Sequence, residues 1–217
     1  MTTTPPIAPR LLKGAIIGMD LYNPLASVAV FQYNPDTVTR RLAARPAPRG
    51  AAGARNEATR LAGPPQETVT VQLEFDAADQ PLGGAASTLG VHAPTAALEM
   101  LLYPKSVFVL THWAMMQGGL VNYIAPAAPT TLFVWGPTRV VPVKISEMTI
   151  TEEAHDNLLN PVRAKVDLSM QVLSYYDLGP THAGSVLFMA NQIVKELLAT
   201  SNTAWSVANF GTSLKVF

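Results

Sequence analysis

The chain contains no cysteine, which excludes a disulfide framework and thiolate metal ligation and fits assembly in the cytoplasm. It is also short of charge: Lys, Arg, Asp and Glu make up 14% of it, against roughly 25% in an ordinary soluble domain. Its 15 basic and 15 acidic residues cancel, so bulk charge gives no reason to expect nucleic acid or an acidic membrane as partner. No apolar run reaches the roughly 18 residues needed to span a bilayer. The densest, Val107 to Val121, is interrupted by His112, Gln117 and Gly118-Gly119. The opening MTTTPPIAPR lacks a basic stretch followed by an apolar core, so it does not read as a secretory leader.

Catalytic constellations are missing as well. The histidines are His92, His112, His155 and His182. None forms H-x-H, H-x-x-x-H or H-E-x-x-H, so no local metal pair exists. His155-Asp156 would suit a triad, but no G-x-S-x-G nucleophile elbow accompanies it. Glu152 and Glu153 are adjacent, and adjacent residues on a strand face opposite ways, which is poor geometry for a glycosidase pair. Gly83-Gly84 and Gly118-Gly119 lack the lysine and hydroxyl of a phosphate loop and read as turns. Met115-Met116 has no histidine-rich companion segment for copper and reads as core or interface. No catalytic, cofactor-binding or metal-binding residue is therefore assigned, and no cofactor is expected.

What the chain does have is 48% apolar residues over 217 positions, enough for one sizeable domain. High apolar content with little charge leaves much uncharged surface. That suits burial against partners, as it also suits an ordinary Ala- and Pro-rich domain.

Residues 1–11, with three threonines and three prolines, read as a flexible arm. Leu12–Asp20 is a first apolar run, and Leu25–Tyr33 (LASVAVFQY) reads as a strand bounded by Asn23-Pro24 and Asn34-Pro35. Thr37–Leu42 extends the strand pattern. Residues 43–66 have no sustained apolar period and predict a long mobile loop. Six arginines fall between Arg40 and Arg60 against one acid, Glu57; with no aromatic residue interleaved to stack a base, the bias suits a solvated loop or docking on an acidic neighbour.

Glu67–Asp76 alternates cleanly, with Val69, Val71, Leu73 and Phe75 on one face. Pro94–Tyr103 predicts a helix that Pro104 ends. Val107–Met116 fits either a helix or a buried strand. Thr130–Trp135 predicts a strand turned by Gly136-Pro137. Arg139–Thr151 alternates with one phase shift between Ile145 and Met148, which predicts a bulge. Arg163–Tyr175 alternates through Ala164, Val166, Leu168, Met170 and Val172, and should pair antiparallel with the preceding strand across a loop of about a dozen residues. Residues 181–200 predict the strongest helix, with Val186, Met189, Ile193 and Leu197 as its apolar stripe. Ser201–Phe217 alternates weakly and suits strand addition to its own sheet or a neighbour's. The fold class expected is mainly β (α+β): a closed or split β-barrel with one central and one C-terminal helix.

Two stretches resemble a known family. One is Val28-Ala29-Val30-Phe31-Gln32-Tyr33-Asn34-Pro35, followed by Arg40 on a strand. The other runs Phe133-Val134-Trp135-Gly136, Pro142-Val143-Lys144-Ile145, Thr151-Glu152-Glu153-Ala154-His155-Asp156 and Leu159-Asn160-Pro161-Val162-Arg163-Ala164. Their order and spacing resemble the tube-like domain of baseplate hub proteins from contractile injection systems. The F-x-Y-N-P piece alone is unspecific; the second element is the more distinctive. The resemblance covers residues 12–178.

It implies a tail-tube-like split barrel and a structural subunit forming a hexameric ring that joins the spike protein to the inner-tube protein within the baseplate. The particle would be assembled in the bacterial cytoplasm and then released or anchored, with no direct membrane insertion. An inner-tube or tube-initiator subunit is the alternative within the particle; a cell-wall-active enzyme or ligand-binding module is the alternative of another class. Longer family members end in a LysM module, and no such module fits after Leu178. Residues 179–217 hold a helix and a short tail instead, so docking there would rest on the helix and on Phe217.

The interface candidates are Phe31, Tyr33, Asn34, Pro35, Arg40, Trp135, Glu152, Asp156, Arg163 and Phe217. Tyr33 would bury its ring and offer its hydroxyl to a partner. Glu152 and Arg163 are expected to pair across their hairpin or between ring neighbours, and Glu153 is expected to be solvated.

Overall fold

A computed structural model describes residues 12–19, 28–46, 60–79, 89–104, 106–118 and 130–210, the last seven of these as helical backbone only. The strands are β1 (Ala15–Met19), β2 (Val28–Val30), β3 (Val38–Ala43), β4 (Gln66–Asp76), β5 (Thr130–Val134), β6 (Val140–His155) and β7 (Pro161–Val172). The helices are α1 (His92–Glu99), α2 (Ser106–Gln117) and α3 (Ala183–Phe210). The expected arm 1–11 and the tail with Phe217 lie outside the described residues.

All seven strands join one antiparallel sheet in the order β2-β1-β5-β6-β7-β4-β3. The alternating segments form it for the expected reason. On β4 the residues Val69, Val71, Leu73 and Phe75 are buried, and on β7 so are Ala164, Val166, Leu168, Met170 and Val172. Val141, Val143 and Ile145 continue that face on β6, while Met148 and Ile150 are half-buried against it. The β6–β7 register slips between Ile145 and Glu147, the bulge that the phase shift predicts. These residues form one core cluster with Ile16, Ala29, Phe31 and Phe133, to which α1 adds Leu98 and α3 adds Phe188.

The sheet is open, since β2 and β3 are not paired to each other, yet it is curled. Gly14 precedes Ala15, which faces Val134 and through it Val140, whereas Asp76 faces Arg163 and through it Glu153. Val140 and Glu153 lie thirteen positions apart on β6, about 40 Å of strand. Nevertheless one short segment touches both corners. The Gly14 N–H donates to Asn34 Oδ1 (2.9 Å), while Gln32 Nε2 donates to the Asp76 carbonyl (2.7 Å) and the Asp76 N–H donates back to Gln32 Oε1 (3.0 Å). Gln32 and Asn34 are themselves separated by about 7 Å of chain, so the staggered corners must come round to meet. A sheet with one apolar face needs a second layer, to which α1 contributes Leu98 and α3 Phe188.

Several expectations are corrected. The second strand ends at Val30, not Tyr33: Phe31 still gives its N–H to the Gly14 carbonyl (2.9 Å), but the chain bends at Gln32 and Tyr33, whose side chains bond Asp76 and Asp79. The β6–β7 loop is residues 156–160, shorter than a dozen, because polar Thr151–His155 pair in the ladder instead of looping. Residues 201–210 are helical, extending α3 instead of adding a strand. The expected apolar stripe of that helix faces out: Val186 (62%), Met189 (41%), Ile193 (52%) and Leu197 (63%) are exposed, while Ser185, Phe188 and Asn191 are buried. Val107–Met116 is helical, within α2, and none of α2 is buried.

Of the Arg-rich loop, residues 47–59 lie outside the described ones, but its ends are fixed within the chain. Pro46 bridges to Leu61, and Arg45 donates to Asp177 (3.2 Å) with its guanidinium 4.4 Å over the Tyr176 ring. Burial pushes the Asp177 carboxyl up, but bonds from Ser174 and Arg45 outweigh it and hold the group below its usual value. No helix among the described residues is long and apolar enough to cross a membrane.

Candidate functional site

The two sequence stretches that carry the resemblance meet at the curled corner. Inside, Phe31 is buried among Phe133 (centroids 6.5 Å apart) and Trp135 (6.4 Å), and Phe133 stacks on Trp135 at 6.0 Å. Aromatic contacts of this kind contribute beyond simple area burial. Gly14 is required at this point, because a Cβ there would lie 2.6 Å from the Phe31 ring. Asn34 closes the outer side: besides accepting from Gly14 it donates to the Leu12 carbonyl (2.8 Å). Pro35 follows, half-buried, where the chain turns toward β3.

Outside, the Tyr33 ring is exposed and its hydroxyl donates to Asp79, in the 3-10 turn Ala77–Asp79 that follows β4. That bond, with the Asp79 and Asp76 charges, raises the phenol above its ordinary pKa. Asp76 accepts from the Ala78 N–H and from Arg163 through Nε (3.2 Å) and Nη2 (3.0 Å). Those donors hold the Asp76 carboxyl below its usual range, and the pair raises Arg163 in turn. Tyr33, Glu74, Phe75, Asp76, Arg163 and Lys165 line an open surface cleft.

The charges in the β6–β7 hairpin pair differently from expectation. Glu153, not Glu152, stands opposite Arg163 in register, and Arg163 turns to Asp76 on β4 instead. Glu153 is not left solvated; it accepts from Lys165 (3.1 Å). Glu152 lies 3.8 Å from His155, on the exposed outer edge. The reason is the pleat: residues 152 and 153 face opposite ways, and β4 supplies a closer acid than the hairpin does.

Asp156 spends its carboxylate on the hairpin loop. Oδ1 accepts from the N–H groups of Leu158 (2.7 Å) and Asn160 (2.8 Å), and Oδ2 from Asn160 Nδ2 (2.9 Å). The Asn160 bonds, then the Leu158 bond, hold Asp156 below its ordinary value. This cage presents Leu158 and Leu159 almost fully to solvent, 80% and 79% exposed, with Leu159 at φ +64°. The hairpin end is braced by α1, whose preceding Val91 N–H donates to the Pro161 carbonyl (2.9 Å).

Arg40 sits apart from this corner. It donates to Glu67 (2.6 Å), a buried carboxylate that Lys195 of α3 also reaches (3.4 Å). The pair ties the edge strand β3 and the helix to β4.

Sequence reasoning missed Gln32, Asp76 and Asp79, the groups that join the corner. Their partners lie 44 to 87 residues away, and no local pattern marks such a pairing. One hydroxyl stands beside a histidine: Thr130 Oγ1 lies 3.4 Å from His182 Nε2. His182 accepts from the Gly184 N–H through Nδ1, and Asp156 is consumed by its loop. Among the described residues no group of three or more His, Asp or Glu side chains is placed to hold a metal ion. A scan against models of known protein families matches none, and a search of curated proteins finds no match.

Proposed function

We propose that this chain is a structural, non-enzymatic subunit of a contractile, phage-tail-like injection particle. In this reading its curled sheet is a tail-tube-like split β-barrel, and about six copies form a ring in the baseplate hub between spike and inner tube. The observation that carries the reading is the convergence at the corner. Phe31 of the first stretch packs on Phe133 and Trp135 of the second, Asn34 shares a surface pocket with Trp135, and Tyr33 shares a cleft with Arg163, although about a hundred residues separate the two stretches. Sequence elements that resemble one family's signature thus lie together at one corner of the curled sheet, which supports a shared fold. Low charge and a broad exposed apolar surface support burial against neighbours. A curled antiparallel sheet with open edge strands also supports ring formation between copies.

Electron microscopy of the assembled particle, with this chain traced in it, tests the proposal. A ring of a few copies at the spike–tube junction is expected; many tens of copies per particle would make it an inner-tube subunit instead. Wall-degrading activity of the purified chain in a zymogram would overturn the structural reading.

A further inference from the structure

The curl of the sheet brings together two arginines that the strand order keeps apart. Arg40 stands on β3 and Arg139 immediately precedes β6, with β4 and β7 between those strands in the sheet. Both line one pocket, to which α3 adds Asn191 and Lys195. Positions 191 and 195 are four apart, so they share one face of the helix. Asn191 Nδ2 donates to the Thr138 carbonyl (3.2 Å), which fixes that face beside Arg139. The Arg139 carbonyl accepts from the Trp135 N–H (2.8 Å), which closes the turn carrying its side chain. Buried Val69, Phe133 and Val141 form the apolar wall.

The charges in this pocket do not balance. Three cations, Arg40, Arg139 and Lys195, line it against one carboxylate, Glu67. Over the whole chain the 15 basic and 15 acidic residues cancel, so the excess belongs to this place. Glu67 accepts from Arg40 Nε (2.6 Å) and lies 3.4 Å from Lys195 Nζ. Those contacts occupy one N–H on each cation. An arginine carries about five N–H donors and a lysine about three, so both keep donors to spare. Arg139 is half-buried, and no acid among the described residues pairs with its guanidinium. Glu67, already shared by two cations, does not neutralise this third one. A partly buried cation beside an apolar wall is costly unless an anion accompanies it.

We infer that this pocket binds a small oxyanion of the phosphate class, held by Arg139 and Lys195 with the spare N–H groups of Arg40 alongside. The planar fork of an arginine matches two phosphate oxygens, and a lysine adds a mobile point charge. The oxyanion supplies the acceptors that the three cations lack. Arg40 and Lys195 reach water, which leaves the ligand a way in. Glu67 limits the affinity, because its own negative charge opposes the ligand's. All of these groups belong to one copy of the chain, so binding does not require ring formation.

Isothermal titration calorimetry of the full-length chain with sodium phosphate, at constant ionic strength in chloride, tests the site. Saturable binding of one phosphate per chain is expected. Arg139→Gln and Lys195→Gln should each weaken it at least about tenfold, the scale of one hydrogen bond to a charged group. Arg163→Gln, whose guanidinium serves Asp76 outside the pocket, should leave the affinity within about twofold, as distant sites do. Glu67→Gln keeps an oxygen for Arg40 and removes the opposing charge, so it should tighten binding several-fold. No saturable heat overturns the inference. So does equal weakening by Arg163→Gln, which would mean diffuse attraction to surface charge, or an affinity in folded Glu67→Gln no higher than the parent's. Circular dichroism checks that each variant is folded. Arg139→Gln removes no ion pair within the described residues, so it decides the matter should Glu67→Gln fail to fold.

Discussion

Replacing Glu67 by Gln keeps the shape of the side chain and removes one buried charge. The carboxylate is 6% exposed and holds Arg40 at 2.6 Å and Lys195 at 3.4 Å. Breaking a fully buried ion pair costs about 3–5 kcal/mol, whereas an exposed pair contributes about 0–1 kcal/mol. Here the anion is buried but its cations reach water, with side chains 28% and 44% exposed. The intermediate value, about 2 kcal/mol, lowers the thermal midpoint by about 4–8 °C in a chain of this size. The pH dependence gives a second handle. Burial pushes the Glu67 carboxyl up, but the Arg40 bond and the Lys195 charge outweigh it and hold the folded value below the ordinary one. A depressed carboxyl contributes fully above its unfolded pKa of about 4.3 and loses that contribution as pH falls through the lower folded value. The gap between parent and Glu67→Gln should therefore be full near neutrality and close in acid. Chemical denaturation across that range measures it. A variant within about 0.5 kcal/mol of the parent, the scatter of ordinary surface substitutions, or a gap that does not change with pH, refutes the reasoning.

Gly90→Ala should cost about 3 kcal/mol, because Gly90 sits at φ +59° and an added Cβ would lie 2.1 Å from the Pro161 carbonyl oxygen; thermal unfolding reads it. Asn34→Ala removes the bonds to Gly14 and Leu12 and should lower stability by about 1 kcal/mol, with amide exchange at Gly14 rising. Arg163→Ala loses an exposed pair with Asp76, so it should leave the thermal midpoint nearly unchanged while weakening ring formation, as counted by electron microscopy. Leu159→Asn should stabilise by about 0.5–1 kcal/mol, since Asn tolerates the left-handed backbone better than Leu; a lower midpoint would mean that the leucine packs on its own chain.

The strands were legible because a half-covered sheet writes its period into the sequence. Every apolar residue of Val69–Phe75 and of Ala164–Val172 that alternation marks is buried, and the bulge after Ile145 follows from one slipped phase. The helices were less legible. Periodicity finds an apolar stripe but does not say what covers it, and on α3 the exposed face carries more apolar side chains than the buried face of Ser185, Phe188 and Asn191. On α2 the residues are apolar all round, so no period separates helix from strand. The corner was legible only in part. Phe31 and Arg163 stand in recognisable stretches, but Asp76 and Gln32 find each other through the curl of the sheet, across 44 residues of sequence.

That curl also separates two tasks that the interface candidates had combined. Phe31 spends its ring in the core, Asn34 its amide on Gly14 and Leu12, Asp156 its carboxylate on its own loop, and Arg40 its guanidinium on Glu67. A group whose partners lie within its own chain adds little at a surface, because a new partner would have to displace them. Phe31 and Asn34 therefore hold the curled corner, Asp156 holds its hairpin loop, and Arg40 ties β3 to β4. Exposed apolar side chains lie elsewhere: at Val107, Leu110 and Trp113, at Val186, Met189, Ile193 and Leu197, and at Leu158-Leu159 on the braced hairpin tip. Assembly of this chain should accordingly respond more to substitutions in those apolar rows than to most of the signature residues, whose loss would be felt first in folding.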